Sequence, residues 1–293
     1  TPADAARPGA RHRGTAWPGP HGHGRQRAGG PLNMAMARPL VCITGASSGI
    51  GQALALRYHR AGWRLALVAR RADAVQQWAA AQGIAAADLL VLAADVRDVD
   101  AITAAGRRCI AEAGLPDVVI ANAGISVGMD TADFADLDVM RATFETNNLG
   151  MAATFQPFVA AMCQRGSGKL VGIASVAGIR GLPGHGAYCA SKAAVFAYCE
   201  SLRGECRPHG VQVVTIAPGY IDTPLTQRNR YRMPFLMAPE AFADRAFAHI
   251  GAGVRKRFIP WQMGVVAGLL RLLPDWLYDR VLAGRPRKRR LNE

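Results

Sequence analysis

Between residues 40 and 216, short apolar runs alternate with helical stretches, and this rhythm limits the fold more than any other feature of the chain. The runs are Leu40 to Thr44, Arg64 to Ala69, Leu89 to Ala93, Val118 to Ala121, Lys169 to Ala174 and Val211 to Ile216. Between them lie helical patterns over 52–60, 72–81, 99–113 and 136–164, and a further one that starts near Tyr188 and reaches Arg207. Strands that alternate with helices build a parallel sheet whose two faces are covered by the helices. The expected class is therefore α/β, a doubly wound parallel sheet in a single domain. Phe258-Ile259-Pro260 offers one last short strand.

The first strand runs straight into Gly45-Ala46-Ser47-Ser48-Gly49-Ile50-Gly51, and the helix follows. Glycines let a backbone turn tightly and approach a pyrophosphate, whose charge then rests on the unpaired N–H groups of the helix start. A glycine turn alone is also a common plain connection. Its place after the first of several repeated strand–helix units strengthens the dinucleotide reading.

Tyr188-Cys189-Ala190-Ser191-Lys192 opens the helix that leads to the sixth strand. Residues four apart share a helix face, so phenol and ammonium project together. A phenol with a pKa of about 10 is a poor acid–base catalyst near neutrality. A unit charge about 4 Å away, at an effective dielectric near 20, is worth roughly 4 kcal/mol, or about three pKa units. Lys192 is thus expected to bring Tyr188 close to physiological pH. Only four lysines stand in the chain against abundant arginine, which sets this one apart from an ordinary surface cation.

The formal charge of +14 sits mostly at the ends, with +5 in residues 1–39 and +4 in residues 285–293. A nucleic-acid face would carry its cations on a folded element, so nucleic-acid binding is not expected. The six cysteines form no Cys-x-x-Cys pair and fall inside expected strands and helices, as in a reducing compartment. No zinc pattern is present and no metal is expected; His12, His21 and His23 lie among Gly and Pro. Residues 1–36 are Gly-, Pro- and Arg-rich, without apolar periodicity or a secretory signal, and read as a disordered tail. The folded domain is expected over 37–262.

With these residues in place the chain resembles the short-chain dehydrogenases/reductases in their single-domain form, over roughly residues 39–262. Thr44 to Gly51 has that family's Thr-Gly-x-x-x-Gly-Ile-Gly spacing, and Asn122-Ala123-Gly124 after the fourth strand is its second marker. Ser175, Asn147 within Asn147-Asn148-Leu149-Gly150, and Pro218-Gly219 followed by Ile221 and Thr223 match further positions. The resemblance implies a Rossmann-like fold that binds NAD(P) through Gly45, Ser47, Ser48, Gly49, Ile50, Gly51, Asn122, Ala123, Gly124, Pro218, Gly219, Ile221 and Thr223. It also implies that Tyr188 is the general acid in reduction and the base in oxidation. Lys192 would lower the pKa of Tyr188 and hold the nicotinamide ribose, and Ser175 would hydrogen-bond the substrate oxygen. Asn147 would hold a water that feeds protons to Lys192, with Asn148 as the alternative assignment.

Cofactor choice turns on the end of the second strand, Val68-Ala69-Arg70-Arg71. A carboxylate there would accept the ribose hydroxyls of NAD and repel a 2′-phosphate. Ala69 stands at that position, and the guanidinium of Arg70 can fork onto phosphate. NADP (NADPH) is expected, through Arg70 with Arg71 in reserve, and NAD is the alternative. Asp95 and Val96, after the third strand, would flank the adenine.

The family's substrate lid falls at Tyr220 to Pro239 and here contains Leu225, Tyr231, Met233, Phe235, Leu236 and Met237, which suggests an apolar substrate or a lid packed on the core. Beyond it, residues 263–293 form an amphipathic helical extension with a basic end. A spanning helix needs about 20 apolar residues, whereas the charge-free run from Trp261 ends at Arg271 and Pro274 breaks it, so the stretch to Leu282 is not expected to cross a bilayer. Its Trp and Tyr residues and the cluster Arg285, Arg287, Lys288, Arg289 and Arg290, with no acidic neighbour except Glu293, fit a helix on an anionic membrane surface. A subunit interface fits equally.

The leading expectation is an NADPH-dependent reductase of an apolar ketone or aldehyde. An NAD-dependent alcohol dehydrogenase and a non-catalytic dinucleotide sensor are the competitors. Further expectations are a small carbonyl or alcohol substrate, a cytoplasmic place with peripheral contact on the inner face of a membrane, and a homodimer or homotetramer paired through the long helices.

Overall fold

The computed structural model describes residues 38–227, 229, 232–284, 287, 288 and 290. The expected tail at 1–36, and Tyr231, Arg285 and Arg289, lie outside the described residues. Seven parallel strands form one sheet in the order β3-β2-β1-β4-β5-β6-β7. They are β1 Leu40–Thr44, β2 Arg64–Ala69, β3 Leu89–Ala93, β4 Val118–Ala121, β5 Gly168–Ile173, β6 Val211–Pro218 and β7 Lys256–Ile259. β7 extends the short run foreseen at Phe258 and pairs along β6, with Ala217 opposite Phe258.

Strand period decides the two cores. Val41 and Ile43 of β1 point to one face while Leu40 and Cys42 point to the other, and β2 divides in the same way. The first face is covered by α1 Gly49–Arg60, α2 Ala72–Ala81 and α7 Pro239–Gly251, which bury Leu54, Tyr58, Val75 and Phe242. The second is covered by α3 Val99–Ala113, α5 Gly150–Arg165 and α6 Gly186–Cys206, which bury Cys109, Phe155, Phe158 and Cys199. With both faces apolar the strands read as nearly continuous hydrophobic runs, which is why they were visible in the sequence. The strand order reverses between β1 and β4, so a crevice opens outside their carboxyl ends.

The helical region expected as one piece over 136–164 is divided. α4 Asp136–Phe144 passes into a π-helical stretch, Glu145–Leu149, before α5 begins. One extra residue per turn rotates the side chains inside it, and it is here that Asn147 turns fully inward. The C-terminal extension is also two helices, α8 Trp261–Leu272 and α9 Asp275–Leu282, because Pro274 cannot continue the first. No helix among the described residues is long and apolar enough to cross a membrane.

Candidate active site

The turn after β1 is built around backbone proximity. Gly45 has φ +68°, and a Cβ there would stand 2.8 Å from Cα of Ala123. A Cβ on Gly51 would stand 2.2 Å from the carbonyl oxygen of Gly45, so α1 can start this close to the strand only with glycine. Asn122 ties the turn to β4, its Nδ2 donating to the carbonyl oxygens of Thr44 (3.0 Å) and Gly45 (3.3 Å). Thr44 Oγ1 accepts from the amides of Asn122 and Ala123. At the start of α1, Ser48 is extended and makes no side-chain cap, and the first turn carries no acid. Its N–H groups are left to an anion, as a pyrophosphate requires.

From this turn a cavity of about 890 Å³ runs to the start of α6. Gly45, Ser47, Ser48, Gly49, Ile50, Arg70, Asp95, Val96, Asn122, Ala123 and Gly124 line one part of it, and Pro218, Gly219, Ile221 and Thr223 another. Ser175, Tyr188 and Lys192 line it as well. Its size lies within the range of small-molecule and cofactor sites, and the glycine turn and the bare helix start fit a dinucleotide.

Three of the expected site residues are not on the cavity surface. Gly51 is buried against Gly45, where it sets the strand–helix approach. Arg71 precedes α2, is exposed, and is not among the residues that line the cavity, whereas its neighbour Arg70 is. Asn147 is buried behind Gly124. Its Oδ1 accepts from the amide of Ile125 (2.9 Å), and its Nδ2 donates to the Ile125 carbonyl (3.0 Å) and to Ser191 Oγ (2.9 Å). A Cβ on Gly124 would sit 3.2 Å from Asn147 Oδ1 and 3.4 Å from Lys192 Nζ, so the lack of a side chain there leaves room between the two. Asn148 instead caps the Ser191 carbonyl from the other side of the π-helical stretch.

Lys192 is buried, and its Nζ donates to the carbonyl oxygen of Ile173 at 2.8 Å and lies 5.8 Å from the centroid of the Tyr188 ring. Burial lowers its pKa from 10.5 to about 8. Burial also raises Tyr188 from 10 to about 12, against a smaller opposing pull from its hydrogen bond with Ser175. The expectation that Lys192 alone draws Tyr188 toward neutrality is thus corrected for the protein without cofactor. Two groups leave water together, and desolvation of the phenolate is the largest effect on Tyr188, with the Ser175 hydrogen bond the one that opposes it.

The lid contributes less apolar surface than its composition suggested. Leu225 lines the cavity, but Phe235, at φ 57°, and Leu236 are about half exposed, and Met237 packs on the core beside α7. The apolar wall comes instead from Met263, Val266, Ala267 and Leu270 of α8 and from Tyr278 and Leu282 of α9. The basic end, read as having no acidic neighbour except Glu293, meets acids from elsewhere in the chain: Arg290 pairs with Asp133 and Asp136, and Arg287 faces Asp130 at 3.9 Å; Lys288 Nζ donates instead to the Ser126 hydroxyl at 2.8 Å. Arg97, His185 and Arg180 also line the cavity and were not foreseen. Arg97 clasps both oxygens of Asp95, and the motif Asp95-x-Arg97 directly after β3 was the available signal.

Comparison with known proteins agrees with this arrangement. The family model for short chain dehydrogenase matches residues 39–233. An uncharacterised oxidoreductase of Myxococcus xanthus is 38% identical over 237 residues, 81% of this chain and 93% of that protein. Dehydrogenase/reductase SDR family member 7B of Bos taurus is 34% identical over 268 residues, 86% of this chain and 82% of the relative. Among solved structures, an alcohol dehydrogenase from the archaeon Thermococcus sibiricus complexed with 5-hydroxy-NADP superposes with a TM-score of 0.66 at 26% identity, covering 75% of this chain and 95% of the other. Sheet order, glycine turn and sequence relatives converge on one assignment: the chain belongs to the short-chain dehydrogenase/reductase family, oxidoreductases that act on CH–OH and C=O groups.

Proposed function

We propose that the enzyme reduces an apolar ketone or aldehyde with NADPH, Tyr188 giving its proton to the carbonyl oxygen. The observation that carries this reading is geometric: Tyr188, hydrogen-bonded to Ser175, and the buried Lys192 stand together on the lining of the cavity that starts at the glycine turn. A phenol protonated at pH 7 has a proton to give, and the Lys192 ammonium four residues on would stabilise the phenolate it leaves behind. NADPH, when bound, supplies the hydride. The chain's own residues orient the carbonyl through Ser175, hold the ribose through Lys192 and keep water out with α8 and α9. Asn147, anchored on Ile125 and Ser191, places its amide beside Lys192 for the proton path.

Arg70, exposed on the cavity lining next to Ala69, supports NADPH over NAD. The NADP analogue bound by the archaeal alcohol dehydrogenase supports it too. The test is a panel of carbonyls and alcohols assayed with NADPH and NADH. Turnover of apolar carbonyls with NADPH is expected; cofactor binding without turnover of any substrate would favour the sensor.

Two exposed apolar surfaces support the proposed partners. Phe134, Leu137 and Leu149, before and along α4 and α5, suit a second copy of the chain. On α8 the exposed arc of Trp261, Val265, Leu269 and Leu272 backs the arc that lines the cavity, and exposed Arg271 and Arg280 accompany it. That surface suits an anionic lipid layer. The six thiols, all buried and none in a disulfide, suit the cytoplasm.

A further inference from the structure

The wall formed by α8 and α9 lies beyond residue 233, where the family match ends. None of its six cavity-lining side chains belongs to either core of the sheet. Two short helices without a core of their own need another anchor. Arg180, five residues past Ser175, supplies it. Its Nη1 donates to the carbonyl oxygens of Leu270 (2.5 Å) and Leu273 (2.6 Å), and its Nη2 to Asp275 Oδ1 (2.6 Å). The guanidinium lies over the Tyr278 ring at 3.9 Å, and Tyr278 returns a hydrogen bond from its hydroxyl to the Gly181 carbonyl (2.6 Å).

These contacts are chemically matched. Leu270 and Leu273 stand at the carboxyl end of α8, where the Leu270 carbonyl keeps only a long 3.4 Å bond from the Leu273 amide and carbonyls can accept from a side chain. Asp275 opens α9. One planar fork therefore joins the end of one helix to the start of the next; the Arg180 side chain is only 18% exposed whereas Asp275 is 97% exposed, so the two carbonyl bonds and the ring contact hold the latch more than the ion pair does. A lysine has the charge but not the fork or the stacking plane.

We infer that Arg180 is a positioning residue for substrate specificity: it holds α8 and α9 as a wall of the cavity that Tyr188 opens into, and so sets the fit of the apolar part of the substrate. The substrate half of this inference rests on the proposed reductase function; the latch itself does not.

The test compares Arg180→Met and Arg180→Lys with the native chain in two ways. With NADPH, KM for decanal is expected to rise roughly tenfold in Arg180→Met, while kcat/KM for acetaldehyde stays within about twofold. Arg180→Lys should restore only part of the loss. Without substrate, tryptic cleavage after Arg271 and Arg280 should quicken by roughly tenfold in Arg180→Met, because local opening exposes those bonds. Equal losses for both aldehydes, or unchanged cleavage, would overturn the inference. If the native chain reduces neither aldehyde, the reductase reading fails and the cleavage rates alone judge the latch. Should Arg180→Met not fold, Asp275→Ala removes one arm of the fork and is expected to move both readouts in the same direction by a smaller amount; no movement would overturn the inference.

Discussion

Lys192 and Ile173 are joined by a 2.8 Å hydrogen bond from ammonium to carbonyl oxygen, and that bond is what the protein offers a buried cation in the absence of cofactor. It does not compensate burial, since the lysine pKa falls from 10.5 to about 8. Below pH 8 folded and unfolded forms are both charged and the cost is fully present. Between pH 8 and 10.5 the folded form sheds the proton first, so stability rises with pH. Lys192→Met should therefore stabilise the cofactor-free protein at pH 7 by about 3 kcal/mol, at roughly 1.4 kcal/mol per pKa unit, and flatten this rise. Urea denaturation at pH 7 and pH 9.5 reads both effects. Above pH 10 Tyr188 acts in the opposite direction, because its folded pKa is raised to about 12 and stability is lost as the unfolded phenol ionises.

Tyr188→Phe should lose nearly all turnover while NADPH still binds. The substitution removes one hydroxyl from a half-buried ring and leaves the glycine turn untouched. A general acid is commonly worth two to four orders of magnitude in rate. Turnover retained within a few fold, with cofactor binding measured by fluorescence titration alongside, would take Tyr188 out of the mechanism.

The sheet was legible because its strands are buried on both sides and so write themselves as apolar runs, and the glycine turn because a Cβ at Gly45 or Gly51 has no room. What the sequence hid depends on distance along the chain or on a helix defect. The π-helical stretch that buries Asn147 has no composition signature, as helical propensities do not distinguish an inserted residue. Arg180 lies about ninety residues before the carbonyls it holds, and Arg290 lies far beyond the acids it meets, so the pairing appears only when the sheet has brought them together. The phenol's upward shift was missed for a different reason. A Coulomb term can be written from spacing alone, whereas desolvation needs the burial of both groups.

Arg70→Ala should weaken NADPH by roughly 1.5 to 3 kcal/mol, the worth of a lost charged hydrogen bond, and leave NADH nearly unchanged. Arg71→Ala, exposed and off the cavity lining, should affect neither. Dissociation constants for both cofactors decide the matter. Equal weakening of NADPH and NADH by Arg70→Ala would place the phosphate-reading group elsewhere, with Arg97 beside Asp95 as the next candidate.

Helix α8 is apolar around most of its circumference, which a surface helix rarely is unless both sides have something to meet. Its inner arc meets the cavity; its outer arc, with Trp261 63% and Leu272 81% exposed, is uncovered among the described residues. A lipid layer would accept the outer arc, and apolar substrate could then enter along the same helix. Since Arg287 and Arg290 are paired with the chain's own acids, attraction should come chiefly from apolar insertion, with Arg271 and Arg280 adding about 1 kcal/mol each on an anionic leaflet. Binding to anionic vesicles should then weaken only moderately with salt, and Trp261→Ser with Leu272→Ser should abolish it without changing the oligomer. Co-sedimentation at low and high salt, with light scattering for mass, separates the alternatives. A double variant that still sediments with vesicles would remove this face from the contact, and one that splits the oligomer would make the face a subunit interface instead.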